Sequence, residues 1–192
     1  MKVSSFLNPQ VIYNLDEDLN QGKMIYKQNV NWDPNEYIVR QVWRKSKDGG
    51  ADLPMWVIHH KNTNLDGRNP TWLTGYGGFY VSIKPSFNRN AIMWIERGGV
   101  FAVATLRGGS EYGERWHKSG MLLNKQNVFD DFISAGEWLI DNNYTSPDLL
   151  GIQGGSNGGL LVAAVTTQKP ELFGAVLCGF PDLDILRFPW YV

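Results

Sequence analysis

One cysteine, Cys178, is all the sequence offers, so no disulfide can close within the chain, which fits a reducing compartment. No apolar stretch approaches the ~20 residues a membrane span needs. The opening Met1-Lys2-Val3-Ser4-Ser5-Phe6 has no apolar core of signal-peptide length, and a cytoplasmic location is the expectation. An excess of either charge is also missing: 18 Lys and Arg against 19 Asp and Glu leave a formal net charge of -1. With no basic block and no acidic tail, nothing points to nucleic acid or a membrane surface as partner. Histidine is scarce, at His59, His60 and His117. His59 and His60 adjoin on a predicted strand and so face opposite sides. They form no metal-ligand set and read as surface or packing residues. Neither a metal nor any other cofactor is implied. There is no internal repeat and no low-complexity segment.

What is present is an ordinary globular balance, 43% hydrophobic and 19% charged, over 192 residues. A domain of that size buries about 70% of its unfolded surface. Residues 1–34 read as short strands and turns, with β-type runs at Val11–Tyr13 and Met24–Tyr26 and a break at Trp32-Asp33-Pro34-Asn35. Two longer strands, Tyr37–Arg44 and Leu53–His60, flank Asp48-Gly49-Gly50, which predicts an antiparallel hairpin.

From Thr71 onward strands and helices alternate. Thr71–Thr74 reads as a strand ending at Gly75-Tyr76-Gly77-Gly78. Ala91–Glu96 reads as a helix that Gly98-Gly99 can end, and Val100–Leu106 as a buried strand. Asn127 can cap a helix through about Asn142, with Val128, Phe132, Ala135 and Leu139 on one face and Asp130 and Asp131 in its first turn, where the helix dipole favours acids. Leu149–Ile152 is a strand, Leu160–Thr167 a helix stopped by Pro170, and Phe173–Cys178 a strand in which Cys178 reads as a buried small hydrophobe. This rhythm predicts an α/β fold, a mostly parallel sheet with helices on both faces.

Gly154-Gly155-Ser156-Asn157-Gly158 matches G-x-S-x-G, and its context gives the match weight. The chemistry needs a serine on a sharp strand-to-helix turn, with its hydroxyl lifted above the sheet edge. An apolar strand precedes Ser156 and an apolar helix follows. The backbone N–H of Asn157 would then point to where an oxyanion forms. The Gly75-Tyr76-Gly77-Gly78-Phe79 loop reads either as a second oxyanion donor, through the Tyr76 hydroxyl, or as a glycine turn with a packed aromatic. The run Arg107–His117, dense in glycine, charge and aromatics, reads equally as site or structure. It lacks the Gly-Lys-Ser/Thr of a phosphate loop.

Together these segments resemble the prolyl oligopeptidase family, serine peptidases that join a β-propeller to an α/β-hydrolase domain. The matching stretches are Gly75–Phe79, Arg107–Gly120, Asn127–Phe132 and Gly154–Val162, continuing through Pro170, Phe173 and Gly174. Trp116-His117 looks more like prolyl oligopeptidase than its cousin oligopeptidase B. The resemblance implies that residues 1–34 are a propeller tail and linker, and that residues 35–192 are the N-terminal part of an α/β-hydrolase peptidase domain, incomplete as it stands. It implies Ser156 as nucleophile, the Asn157 N–H and Tyr76 hydroxyl as oxyanion hole, Phe79 near a proline-ring pocket, and short peptides as substrates. His117 matches a motif residue and not the catalytic histidine.

Two departures matter. A family position lining the proline pocket is apolar, and here it is Asp182, which disfavours a proline ring unless the carboxylate is paired or exposed. The order in this fold is Ser, then acid, then His, yet Asp182 and Asp184 follow Ser156 and no histidine does. The resemblance places the triad acid and base beyond residue 192. The 192 residues alone are then expected to be inactive, with an unpaired sheet edge prone to self-association. A non-catalytic scaffold and an esterase of the same fold are the alternatives.

Overall fold

The computed structural model describes residues 1–15 and 22–187. Strands β1 (Lys2–Val3), β2 (Val11–Asn14) and β3 (Lys23–Lys27) form an antiparallel meander. A short turn at Pro34–Glu36, capped by the Asp33 carboxylate on the Asn35 N–H, leads into the main body. There follow β4 (Tyr37–Lys45), β5 (Asp52–His60), β6 (Thr71–Thr74), α1 (Arg89–Glu96), β7 (Val100–Ala104), α2 (Gly113–Lys118), α3 (Gln126–Asp141), β8 (Leu150–Gly155), α4 (Asn157–Gln168) and β9 (Ala175–Gly179).

The main sheet has the order β4-β5-β7-β6-β8-β9. The predicted hairpin is there: β4 and β5 pair antiparallel from Tyr37–His60 to Lys45–Asp52. β5 also pairs antiparallel with β7, while β7, β6, β8 and β9 run parallel, so β5 alone is reversed. Both faces are covered, which is why β7 reads as an unbroken apolar run. Val100, Ala102 and Ala104 face Phe132, Leu139, Leu161 and Val165 of α3 and α4. Phe101 and Val103 face the opposite cluster, with Ile58, Ala91, Ile92 and Ile95. Phe6 and Leu7, from the N-terminal meander's segment, join that second cluster, and Trp32 Nε1 donates to the Leu7 carbonyl at 2.7 Å.

Connectivity positions the site. After β6 the chain crosses to β7 on one side, then returns through α3 to β8 on the other. The C-terminal ends of β6 and β8 therefore meet where the winding reverses, the place where open α/β sheets hold ligands.

Three local expectations are corrected. The α3 helix begins at Gln126, and Asn127 is not its cap: its Nδ2 donates to the Ser119 carbonyl at 2.9 Å instead. Asp131 is no dipole-compensating surface acid, for it is fully buried and paired with Arg107. Cys178 is exposed, because β9 is an outer strand of the sheet and its neighbours Val176 and Leu177 are exposed on both faces.

Candidate active site

Ser156 sits between β8 and α4 with φ 54° and ψ -124°. That backbone region is costly for any residue with a side chain, about 1–3 kcal/mol, and persists only where the surroundings impose it. They do so from both sides. The Ser156 N–H donates to the Gly179 carbonyl at 3.1 Å, and the Ser156 carbonyl accepts from the Gly159 and Leu160 amides at 2.8 and 3.1 Å. Gly154 is obligatory here: a Cβ on it would overlap the Gly158 carbonyl. The serine is half-buried at the top of the sheet. Its hydroxyl has one side-chain partner among the described residues, Asp182 Oδ2, at a long 3.5 Å.

Asn157 opens α4, and its N–H is one of the four amides that a helix N-terminus leaves without an intrahelical acceptor. Its side chain, 3% exposed, turns the other way, and Nδ2 donates to the Tyr76 carbonyl at 2.6 Å. Across the switch point lies the loop after β6. Gly77 has φ +63°, and a Cβ on Gly78 would lie 2.6 Å from Asn157 Nδ2, so the loop can close onto Asn157 only with glycine there. Tyr76 is half-buried. Phe79 and Tyr80 are exposed and both hold positive φ, 51° and 58°. Two consecutive left-handed residues that are not glycine are unusual and lie directly beside the site. A cleft of about 250 Å³ runs beneath this loop, lined by Thr74, Tyr76, Gln153, Gly154 and Phe101.

Lys125 was not singled out by the sequence, where it reads as a surface cation before a helix. Its Nζ donates to the Gly77 carbonyl and to Asn157 Oδ1, both at 3.0 Å. Burial pulls its pKa down to about 8.

The Arg107 loop proves to be scaffolding at its first residue. Arg107 grips Asp131 in a fork, Nη2 to Oδ1 at 2.6 Å and Nε to Oδ2 at 2.9 Å, and reaches Asp48 in the hairpin turn at 2.7 Å. Burial opposes the Arg107 charge, but the bonds from Asp131 and Asp48 outweigh it and raise its pKa. The same bond from Arg107, with Ser46 and Gly50, holds the Asp48 carboxyl far below its ordinary value. A roomier cleft of about 600 Å³ lies on this side, between Trp43, Arg107, Tyr112 and Trp116. Ser156 does not line it, and no buried polar group without a partner points into it, so volume alone does not make it the reactive site.

His117 is occupied elsewhere, with Nδ1 2.6 Å from the Gly108 carbonyl and its ring edge-on to Tyr80. His59 is buried against Tyr144, with Nδ1 2.8 Å from the His60 carbonyl. Among the described residues no group of His, Cys, Asp and Glu could hold a metal ion.

Comparison with known proteins gives the family. The model of the prolyl oligopeptidase family matches residues 85–191. A prolyl endopeptidase of Elizabethkingia miricola is 41% identical over 185 residues, covering 96% of this chain and 26% of its own length. Among solved structures, a post-proline cleaving enzyme from Rickettsia typhi superposes with a TM-score of 0.92 at 41% identity, over 97% of this chain and 27% of that one. Oligopeptidase B from Leishmania major superposes at 0.91 with 32% identity, over 96% and 26%. The 192 residues thus span about a quarter of the length of the relatives they match.

Proposed function

The chain belongs to the prolyl oligopeptidase family, and from that premise we propose that it carries the nucleophile half of a serine-type peptidase acting on short peptides. The observation that bears most weight is the strained backbone of Ser156, imposed between β8 and α4 where the sheet reverses its winding. Ser156 Oγ attacks the scissile carbonyl and forms an acyl-enzyme that water releases. The Asn157 N–H, free at the helix N-terminus, and the Tyr76 hydroxyl receive the developing oxyanion. Phe79 and Asp182 border the bound residue. No base for Ser156 is assigned among these residues: no histidine follows Ser156, and His117 is held by the Gly108 carbonyl.

Residues 1–34 are read as the end of a propeller and its linker, supported by the β1–β3 meander and the turn at Pro34. Residues 35–192 are read as the first part of the peptidase domain. A cytoplasmic location is the reading that the lone unpaired cysteine supports. No helix among the described residues is long and apolar enough to cross a membrane.

The test is labelling by a fluorophosphonate, read by mass spectrometry of the Ser156 peptide, with Ser156→Ala as control. Adduct at Ser156 that the alanine variant loses is the expected result for the intact enzyme. Adduct spread over other serines, unchanged by Ser156→Ala, sinks the assignment. In the 192 residues alone, labelling is expected to be slow, because no base is at hand.

A further inference from the structure

Three segments far apart in sequence meet at one amine. The loop after β6 offers the Gly77 carbonyl, the nucleophile turn offers Asn157 Oδ1, and Lys125, just before α3, donates to both at 3.0 Å. Asn157 closes the ring by donating through Nδ2 to the Tyr76 carbonyl. Every polar atom of the Asn157 amide is thereby committed, so the side chain cannot rotate without breaking a bond. We propose that Lys125 is a positioning residue that locks the Tyr76 loop to the nucleophile turn and so fixes the separation of the two oxyanion donors. This inference rests on the reading of Ser156 as nucleophile.

Several features say that Lys125 is held in place rather than resting there. A lysine stem is flexible and its ammonium prefers water. Here no carboxylate pairs with Lys125 among the described residues, and the Phe129 ring lies 5.9 Å from Nζ. The amine stays desolvated although burial disfavours its charge. What offsets that cost is the pair of bonds to Gly77 and Asn157. The loop it holds needs holding: Gly77, Phe79 and Tyr80 all have positive φ, and strained backbone relaxes when its ties are cut. Positioning errors near 1 Å can cost about a hundredfold in rate. Lys125 touches neither the nucleophile's hydroxyl nor a reacting atom, so its effect is on rate through geometry.

The test uses Lys125→Met, which keeps the apolar stem and removes the donors, and Lys125→Arg, which restores charge and donors. Two readouts are taken on the intact enzyme. In hydrogen exchange, Lys125→Met is expected to speed exchange about tenfold in both segments 75–81 and 156–160, while the β5 segment 55–58 stays unchanged. In fluorophosphonate labelling, the maximal rate falls between ten- and a hundredfold, while the probe concentration for half-maximal rate moves less than threefold, and Lys125→Arg recovers part of both effects. If the intact parent enzyme gives no adduct that depends on Ser156, the nucleophile reading fails, and exchange alone decides the lock. Exchange that rises in one segment only, or parent-like labelling rates in Lys125→Met, overturns the proposal. If the methionine variant loosens everywhere, Lys125→Gln, with one amide donor, must still loosen both segments together.

Discussion

Removing Arg107 is the perturbation with the largest expected cost. Its guanidinium is 3% exposed, and its partner Asp131 is fully buried. In Arg107→Met the methionine fills most of the volume, but the Asp131 carboxylate loses both fork bonds and keeps only the backbone N–H of residue 107, at 3.2 Å. Arg44 offsets this only through its charge, because its Nη2 donates to the Asp131 carbonyl and not to the carboxylate. Breaking one side of a buried pair costs about 3–5 kcal/mol, a large part of a typical stability of about 5–15 kcal/mol. The Asp48 bond adds little to this, because that carboxylate is nearly half exposed. The pH dependence has a definite sign. Burial pushes the Asp131 carboxyl up, and without the Arg107 side chain only the backbone N–H of residue 107 and the Arg44 charge still oppose that push. An acid whose folded pKa exceeds its unfolded value costs stability as pH rises through the interval between them. The deficit of Arg107→Met is therefore largest at pH 7 and shrinks toward pH 5. Urea unfolding at both values, with Asp131→Leu added as a double variant, measures it. The double variant should recover most of the about 3–5 kcal/mol, since replacing a whole buried pair by apolar residues is often neutral or better than the pair itself. A single-variant loss under about 1 kcal/mol, or a double variant no better than the single, would refute the reasoning.

Two further outcomes are expected. Leu177, 66% exposed on the outer strand β9, offers an apolar face next to backbone that has no strand partner among the described residues, so sedimentation of the chain should show self-association that Leu177→Lys reduces. A monomeric parent chain at tens of micromolar (about 50 μM) would contradict this, given how edge strands behave. Asp182→Val removes a carboxylate 3.5 Å from Ser156 Oγ and should raise the preference of the Ser156 label for a proline-bearing phosphonate over a straight-chain one by about tenfold. An unchanged ratio would remove Asp182 from the substrate-binding group.

Much of this was legible in the sequence, for local reasons. Asp48-Gly49-Gly50 closes the hairpin as its turn chemistry demands. The all-apolar β7 announced a strand covered on both faces. Glycines around Ser156 marked the turn because close backbone contact leaves no other choice. What stayed hidden depends on distant partners. Asp131 obeyed a helix-terminus rule until Arg107, 24 residues away, claimed it. Asn127 has a capping side chain, but Ser119 supplies a better acceptor than the helix supplies a donor. Cys178 reads as core because strands of its composition usually are, and only the strand order shows it at the margin. Lys125 carried no signal, since a lysine ahead of a helix is ordinarily hydrated. The positive φ of Phe79 and Tyr80 cannot be read from residue types that normally avoid it.

The winding order of the sheet also has a kinetic meaning. β6 finds its two neighbours at very different times: β7 closes through a short crossover, whereas β8 follows only after β7, α2 and α3 are in place. Tyr76 and Asn157, which must touch, are 81 residues apart. Non-local pairing of this kind is slow, because loop-closure entropy is lost before the contact rewards it. Until β8 docks, β6 is an open edge and its glycine loop has nothing to close on. The backbone at Ser156 can therefore take its strained shape only when β8 docks beside β6 and seals the middle of the sheet.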